Sequence, residues 1–223
     1  VARVVAVFKD NGRGVRGDLA AVTRAILLDP EARGARKIDR EYGRLREPVL
    51  VWTQLIRALD VTTDGYIPKA QAGTSNQYLF NAPTVFNYYP ADYTLAGGNV
   101  PAPEFAIFTS YEFINRANWI NNLLYNVDQS SSHDPIYGWD PVAFVPNATG
   151  TRSPPLTAFL PDAGNPDVLV ERLNRLLLHG TISPALRKTV VNAVSKLDAG
   201  MALRRVKMAL NIILTSIDYQ VQK

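Results

Sequence analysis

The sequence contains no cysteine, which removes disulfides, thiolate metal sites and a cysteine nucleophile. It has only two histidines, His133 and His179, and neither stands in an HExxH or comparable metal-ligand spacing. No G-x-S-x-G elbow occurs, so a Ser-His-Asp triad would have to recruit one of those two rings. No uninterrupted apolar run approaches the roughly 18 residues that cross a bilayer, and no transmembrane segment is expected. What remains is an ordinary globular composition: 223 residues, 47% hydrophobic and 20% charged. That is enough for one large domain or two small ones, and it excludes wholesale disorder.

The first residues, Val1 to Phe8, read VARVVAVF without an initiator Met. They carry neither a basic leader nor a small-residue cleavage site, so they are not a signal peptide. A start in mid-pattern suggests a fragment or a processed product.

The net charge of +4 conceals segregation. Residues 1–57 hold 12 Lys/Arg against 7 Asp/Glu, residues 58–166 hold 3 against 9, and residues 167–223 hold 9 against 4. The acidic middle also carries 17 of the 21 aromatic residues and 12 of the 15 prolines. Such an order predicts helical ends flanking an irregular centre. The basic residues are diluted along helices rather than clustered, so nucleic-acid binding is not expected despite a pI near 9.3.

Helix signals support this division. Asp18 precedes a stripe at Leu19, Val22 and Ile26, with Pro30 as its stop. Pro48 opens a helix that presents Val49, Trp52, Ile56 and Leu59. A third helix is expected over about Ser110 to Asn126, with Phe113, Ala117, Ile120 and Leu124 inward. Asn165-Pro166 is a cap and first-turn pair, followed by Leu169, Leu173 and Leu176 and ended by Gly180. Ser183-Pro184 repeats the signal ahead of Leu186, Val190, Ala193 and Leu197. Asp198 or Ala199 opens the last helix, with Val206, Leu210 and Ile213 facing in. Helices with short links bury their stripes against one another, so the expected fold is mainly α, a helical bundle built from N- and C-terminal helices. A long Pro/aromatic-rich irregular segment at 58–166 lies within it like an insertion, the whole of 1–223 forming a single domain.

Candidate chemistry is sparse. Gly12-x-Gly14-x-x-Gly17 matches the dinucleotide fingerprint, but Asp18 opposes a pyrophosphate at the following helix start and no second strand follows. The plainer reading is a glycine-rich link between two helices. Arg13 and Arg16 on that link could still grip a carboxylate or another anion. His133 stands in a polar loop, Ser130-Ser-Ser-His-Asp134, and reads as solvated. His179 precedes Gly180 in a last helical turn, where a cation favours the helix dipole. Glu104 and Glu112 form the nearest carboxylate pair, yet Glu112 pairs more simply with Arg116 at i, i+4. No cofactor is implied and no metal site is found.

The least ordinary feature is the polar side of the third helix. Asn115, Asn118, Asn121, Asn122 and Asn126 fall within 12 residues, and Asn115, Asn118, Asn122 and Asn126 share a face. Asn offers donors and acceptors to a polar partner such as a sugar. Around it stand Tyr66, Tyr78, Tyr88, Tyr89, Tyr93, Tyr137 and Trp139, rings suited to a binding surface or to a local core. Candidate binding residues are therefore Tyr88, Tyr89, Tyr93, Asn115, Asn118, Asn122, Trp139, Arg13 and Arg16.

Several collinear blocks resemble one bacterial family. Asn11-Gly-Arg-Gly-Val-Arg-Gly-Asp18, Arg24-Ala-Ile-Leu-Leu-Asp-Pro-Glu31 and Leu45-Arg-Glu-Pro48 are similar to signatures of the domain of unknown function 1800. Ala82-Pro-Thr-Val-Phe-Asn-Tyr88, Ala102-Pro-Glu-Phe105, Leu173-Asn-Arg-Leu-Leu-Leu178 and Tyr219-Gln-Val-Gln-Lys223 continue the match. The resemblance implies the helix-rich C-terminal portion of a longer protein, usually exported to the periplasm or beyond, and often encoded beside a sulfatase-like family. It supplies no catalytic residues. The leading expectation is a non-catalytic binding or assembly component that uses the aromatic/Asn segment. Its partner would be another protein, a second copy of itself or a polysaccharide. The alternative is a hydrolase of an extracellular polymer whose site is shared with a missing N-terminal half, and a third reading is a subunit stable only with its partner.

Overall fold

The computed structural model describes residues 1–33, 42–61, 63, 65–125 and 155–222. His133, Tyr137, Trp139 and Asn126 lie outside the described residues. Within them the chain is mainly α, with ten α-helices, short 3-10 turns and one two-stranded sheet. It forms two compact units, Val1–Arg44 and Leu45–Gln222.

In the first unit, α1 (Ala2–Lys9) packs on α2 (Leu19–Leu27), and α3 (Pro30–Arg33) follows. The apolar run before the glycines is thus a helix, not the strand that a dinucleotide site requires. Gly12, Gly14 and Gly17 all take positive φ, at 86°, 75° and 78°, where a side chain would be strained. Their loop is closed on itself. Asp10 Oδ1 accepts from the N–H of Gly12 at 2.8 Å and of Gly14 at 2.9 Å, while Asn11 Oδ1 accepts from Arg13 N–H at 2.9 Å. Asp18 caps α2 as expected, accepting from Ala21 N–H at 3.0 Å. Pro30 ends α2 and also starts α3. The Arg3 guanidinium grips Asp29 with two bonds of 2.7 and 2.5 Å.

The second unit begins at Leu45, the last residue of β1 (Arg44–Leu45), a strand that pairs with β2 (Val221–Gln222). Between them run α4 (Pro48–Ala58), α5 (Tyr66–Thr74), α6 (Ser110–Tyr125), α7 (Pro166–Leu178), α8 (Pro184–Ser195), α9 (Ala202–Leu214) and α10 (Ile217–Gln220). A 3-10 segment, Leu156–Gly164, packs on α7 and α9. The core joins Val51, Trp52 and Leu55 of α4 to Ile120 and Leu124 of α6, Leu169, Leu173 and Leu177 of α7, and Leu210, Ile213 and Leu214 of α9. Each such side chain taken fully out of water contributes about 1.5–3 kcal/mol. Trp52 and Trp119 meet at 4.3 Å between ring centroids.

The N-caps of α7 and α8 read from the sequence are realised. Asn165 Oδ1 accepts from Asp167 and Val168 N–H at 3.1 and 3.3 Å, and Ser183 Oγ accepts from Leu186 N–H at 3.3 Å. Gly180, φ 84°, follows the cap residue His179 of α7 as expected, and His179 is itself left-handed at φ 55°. Three details differ. The last long helix opens at Ala202, because Asp198 Oδ1 instead ties Gly200 N–H at 2.8 Å into a turn. The buried side of α4 is Val51, Trp52 and Leu55 rather than Val49 and Ile56. The middle segment contains a second helix, α5, whose Pro68 sits in the first turn where its missing N–H has no helical partner anyway.

Candidate functional site

The arm between α5 and α6 leaves the core at Ser75 and is held by a polar network. Gln77 is buried. Its Oε1 accepts from Val49 N–H at 2.9 Å, and its Nε2 donates to Glu47 Oε2 at 2.7 Å. Tyr89 donates its hydroxyl to Glu47 Oε1 at 2.9 Å, so this ring spends its polar tip on an anchor. Tyr88 donates to the carbonyl of Tyr78. Tyr78 lies against Gly73, where a Cβ would come within 2.7 Å of the ring. A side chain at Gly73 would therefore push the root of the arm away from α5.

At the other root, α6 carries two charged residues inward. Glu112 is buried; Asn76 Nδ2 donates to its Oε1 at 2.5 Å, and Thr109 gives it both an N–H, at 2.9 Å, and its hydroxyl. Burial pushes the Glu112 carboxyl up, but these bonds together outweigh it and leave the group below its ordinary value. Arg116, one turn on, is also buried; it donates to Gln220 Oε1 at 2.8 Å and to the carbonyl of Arg46 at 3.2 Å. Its guanidinium lies 4.3 Å from the Phe108 ring centroid. Burial brings Arg116 down to about 10, partly opposed by Glu112. The inward face of α6 is accordingly Glu112, Arg116, Trp119, Ile120, Leu123 and Leu124, and Phe113, expected inside, is 44% exposed. The helix is rotated from its hydropathy reading because two charges go in.

The apolar side chains between these roots go out. Phe80 is fully exposed, Val85 is 94% and Phe86 78% exposed, and Val100, Tyr111 and Ile114 are also exposed. A tight turn explains two of them. Asn87 N–H donates to the Thr84 carbonyl at 3.1 Å, which puts Val85 and Phe86 at the two corners. Phe80 has φ 60°, in the left-handed region that a bulky residue rarely enters.

Of the residues nominated from sequence, Tyr88, Tyr89 and Tyr93 are half-buried. Asn118 is exposed, and Asn115 and Asn122 are partly so. Arg13 and Arg16 are exposed on the glycine loop of the other unit. Trp139 lies outside the described residues. Sequence reasoning passed over Phe80, Val85 and Phe86. The signal was Pro83-Thr-Val-Phe-Asn87, a short turn-compatible run that sets two adjacent apolar residues at its corners.

Among the described residues no group of three His, Asp or Glu side chains could hold a metal ion, and no helix is long and apolar enough to cross a membrane. A family model described as "Protein of unknown function (DUF1800)" matches residues 1–221. No curated protein and no solved structure matches the chain.

Proposed function

We propose, from the premise that the chain belongs to the DUF1800 family of proteins of unknown function, that it is a non-catalytic binding or assembly component. Its contact surface is the arm between α5 and α6, and its partner is a protein. The observation that carries this reading is the outward set of Phe80, Val85 and Phe86, on a segment whose roots are fixed by partly buried hydrogen bonds. Solitary exposed apolar residues are ordinary, but several on one anchored segment suit an apolar docking surface. A flat sugar face asks for rings that offer polar tips beside them. Here Tyr88 and Tyr89 turn those tips to Tyr78 and Glu47, so a protein is favoured over a polysaccharide. From the resemblance to a usually exported family we infer that it works in the periplasm or outside the cell.

The test is site-specific photo-crosslinking of the full-length protein in its own cell. A photoreactive phenylalanine analogue replaces Phe80 or Phe86, with exposed Lys188 of α8 as control. Discrete adducts at positions 80 and 86, absent at 188, are expected. Equal labelling at all three, or retention on purified cell-wall polysaccharide that survives both substitutions, overturns the reading. Fractionation of the same cells tests the location, and a purely cytoplasmic protein refutes it.

A further inference from the structure

We propose that the cleft between α4, the end of α7 and β2 binds a small organic anion, a carboxylate joined to an apolar body. The cleft measures about 430 Å³. Arg46, Arg57 and His179 line it together with Leu50, Leu176 and Gln54, and among the described residues no carboxylate side chain is in its walls. Its charged and apolar parts correspond to the two halves of such a ligand.

Arg46 is the decisive group. It is 4% exposed, its guanidinium lies 4.8 Å from the Tyr219 ring centroid, and its Nη1 has no hydrogen-bond partner. A buried guanidinium N–H left unpaired is costly, because water has been lost and nothing has replaced it. Burial accordingly lowers the Arg46 pKa, with the nearby Tyr219 opposing. A carboxylate in the cleft supplies the counter-charge that this buried guanidinium lacks among the described residues. Arg57, exposed at the end of α4, adds a second guanidinium from the rim.

One feature of the fold opposes an anion here: the C-terminus of α7 carries the negative end of its dipole. Two of its last carbonyls, however, are already taken. Gln54 Nε2 donates to the Leu177 carbonyl at 3.3 Å, and Thr181 gives both its N–H, at 3.0 Å, and its hydroxyl, at 2.7 Å, to Leu178. These bonds turn two of the helix-end carbonyls away from a ligand beside Arg46, Arg57 and His179.

This inference is independent of the docking arm, and its test uses different residues. The full chain is titrated with octanoate, with octanol and with inorganic phosphate, while the Arg Nε–H and Leu methyl NMR signals are followed. Octanoate is expected to shift Arg46, Arg57, Leu50 and Leu176 saturably, and octanol and phosphate to do so at least about tenfold more weakly. Arg57→Gln, at an exposed position, keeps the fold and weakens octanoate about tenfold, in line with the loss of one charge-assisted bond. Arg46→Lys, which keeps the charge but not the fork, weakens it further. Octanol binding as well as octanoate, phosphate binding as well as octanoate, or an Arg57→Gln protein that binds unchanged each overturns the proposal.

Discussion

Replacing Phe80 by Asn is expected to stabilise the protein, contrary to the usual result of deleting an aromatic ring. Phe80 sits at φ 60°, and a residue with a Cβ in the left-handed region loses about 1–2 kcal/mol relative to the right-handed one. Asn tolerates that region because its short amide bonds locally. The chain uses this solution at two neighbouring positions, Asn76 at φ 60° and Asn87 at φ 77°. Against the gain stands the burial of the ring, ordinarily about 25 cal/mol per Å². Phe80 is fully exposed, so almost nothing is lost. The net change is a gain of up to about 1 kcal/mol, raising the unfolding temperature by about 2–4 °C in a chain of this size. Urea unfolding followed by circular dichroism gives the free energy, provided the slope m is unchanged. Phe80→Ala separates the two effects, since Ala removes the ring but keeps the backbone strain, and should be near neutral. If both variants lose stability, the ring packs against something and the account of the arm is wrong. A stabilised Asn variant that also loses its crosslinked partner is the signature of a residue retained for contact rather than for folding.

Three further outcomes follow from particular contacts. Arg205 is buried and donates to the Leu197 carbonyl at 2.7 and 3.2 Å and to the Ala163 carbonyl at 2.8 Å; Arg205→Lys cannot span both and should cost about 2 kcal/mol in urea unfolding, whereas an unchanged midpoint would mean that water satisfies those carbonyls. The Glu112 carboxyl lies below its ordinary value of 4.5 when folded, so its contribution is present above that pH and is lost as pH falls through the folded value. The stability difference between wild type and Glu112→Gln should therefore shrink between neutral and acid pH, and a constant difference would show that the carboxylate charge plays no part. Asp29 is held down to about 2 by the Arg3 guanidinium and then by Glu31 N–H. A carboxyl NMR titration should place its midpoint there, and Arg3→Gln should raise it toward 3.8; no movement would mean the pair does not form in solution.

What could be read from sequence divides along physical lines. The starts of α2, α7 and α8 were legible because Asp18, Asn165 and Ser183 satisfy orphan N–H groups by local geometry, whatever the rest of the chain does. Faces were less legible. In α4 the sequence PVLVWTQLIRA is apolar almost all round, so periodicity admits several stripes, and packing against α5 and α7 selects Val51, Trp52 and Leu55. In α6 the reading failed for a different reason. A hydropathy pattern sends Glu112 and Arg116 to solvent, and only the distant Asn76, Arg46 and Gln220 supply the partners that let them go inside. The helix α5 escaped notice because Pro68 and Gly73 lie within nine residues. Its Gly73 is explained only once the Tyr78 ring is seen lying on it.

The exchange around α6 ties these failures together. Charged side chains are inside, Glu112 and Arg116, while rings and branched apolar residues are outside, Phe80, Val85, Phe86 and Ile114. Either half taken alone opposes folding: the first loses hydration, and the second forgoes burial. They become intelligible as one device if the partly buried bonds set the position of the arm. Glu112 fixes Asn76 and Thr109, and Glu47 fixes Gln77 and Tyr89. Both ends of the segment are thus pinned by carboxylates that accept several donors each. A segment pinned in this way has already lost the freedom that binding would otherwise remove, at about 0.5–1.5 kcal/mol per immobilised side chain. Its exposed rings can then meet an apolar partner with most of that ordering complete. Glu112→Gln and Phe80→Asn should accordingly weaken the same contact by different routes, the first by loosening the arm and the second by removing what it presents. Only the first should do so at a loss of stability.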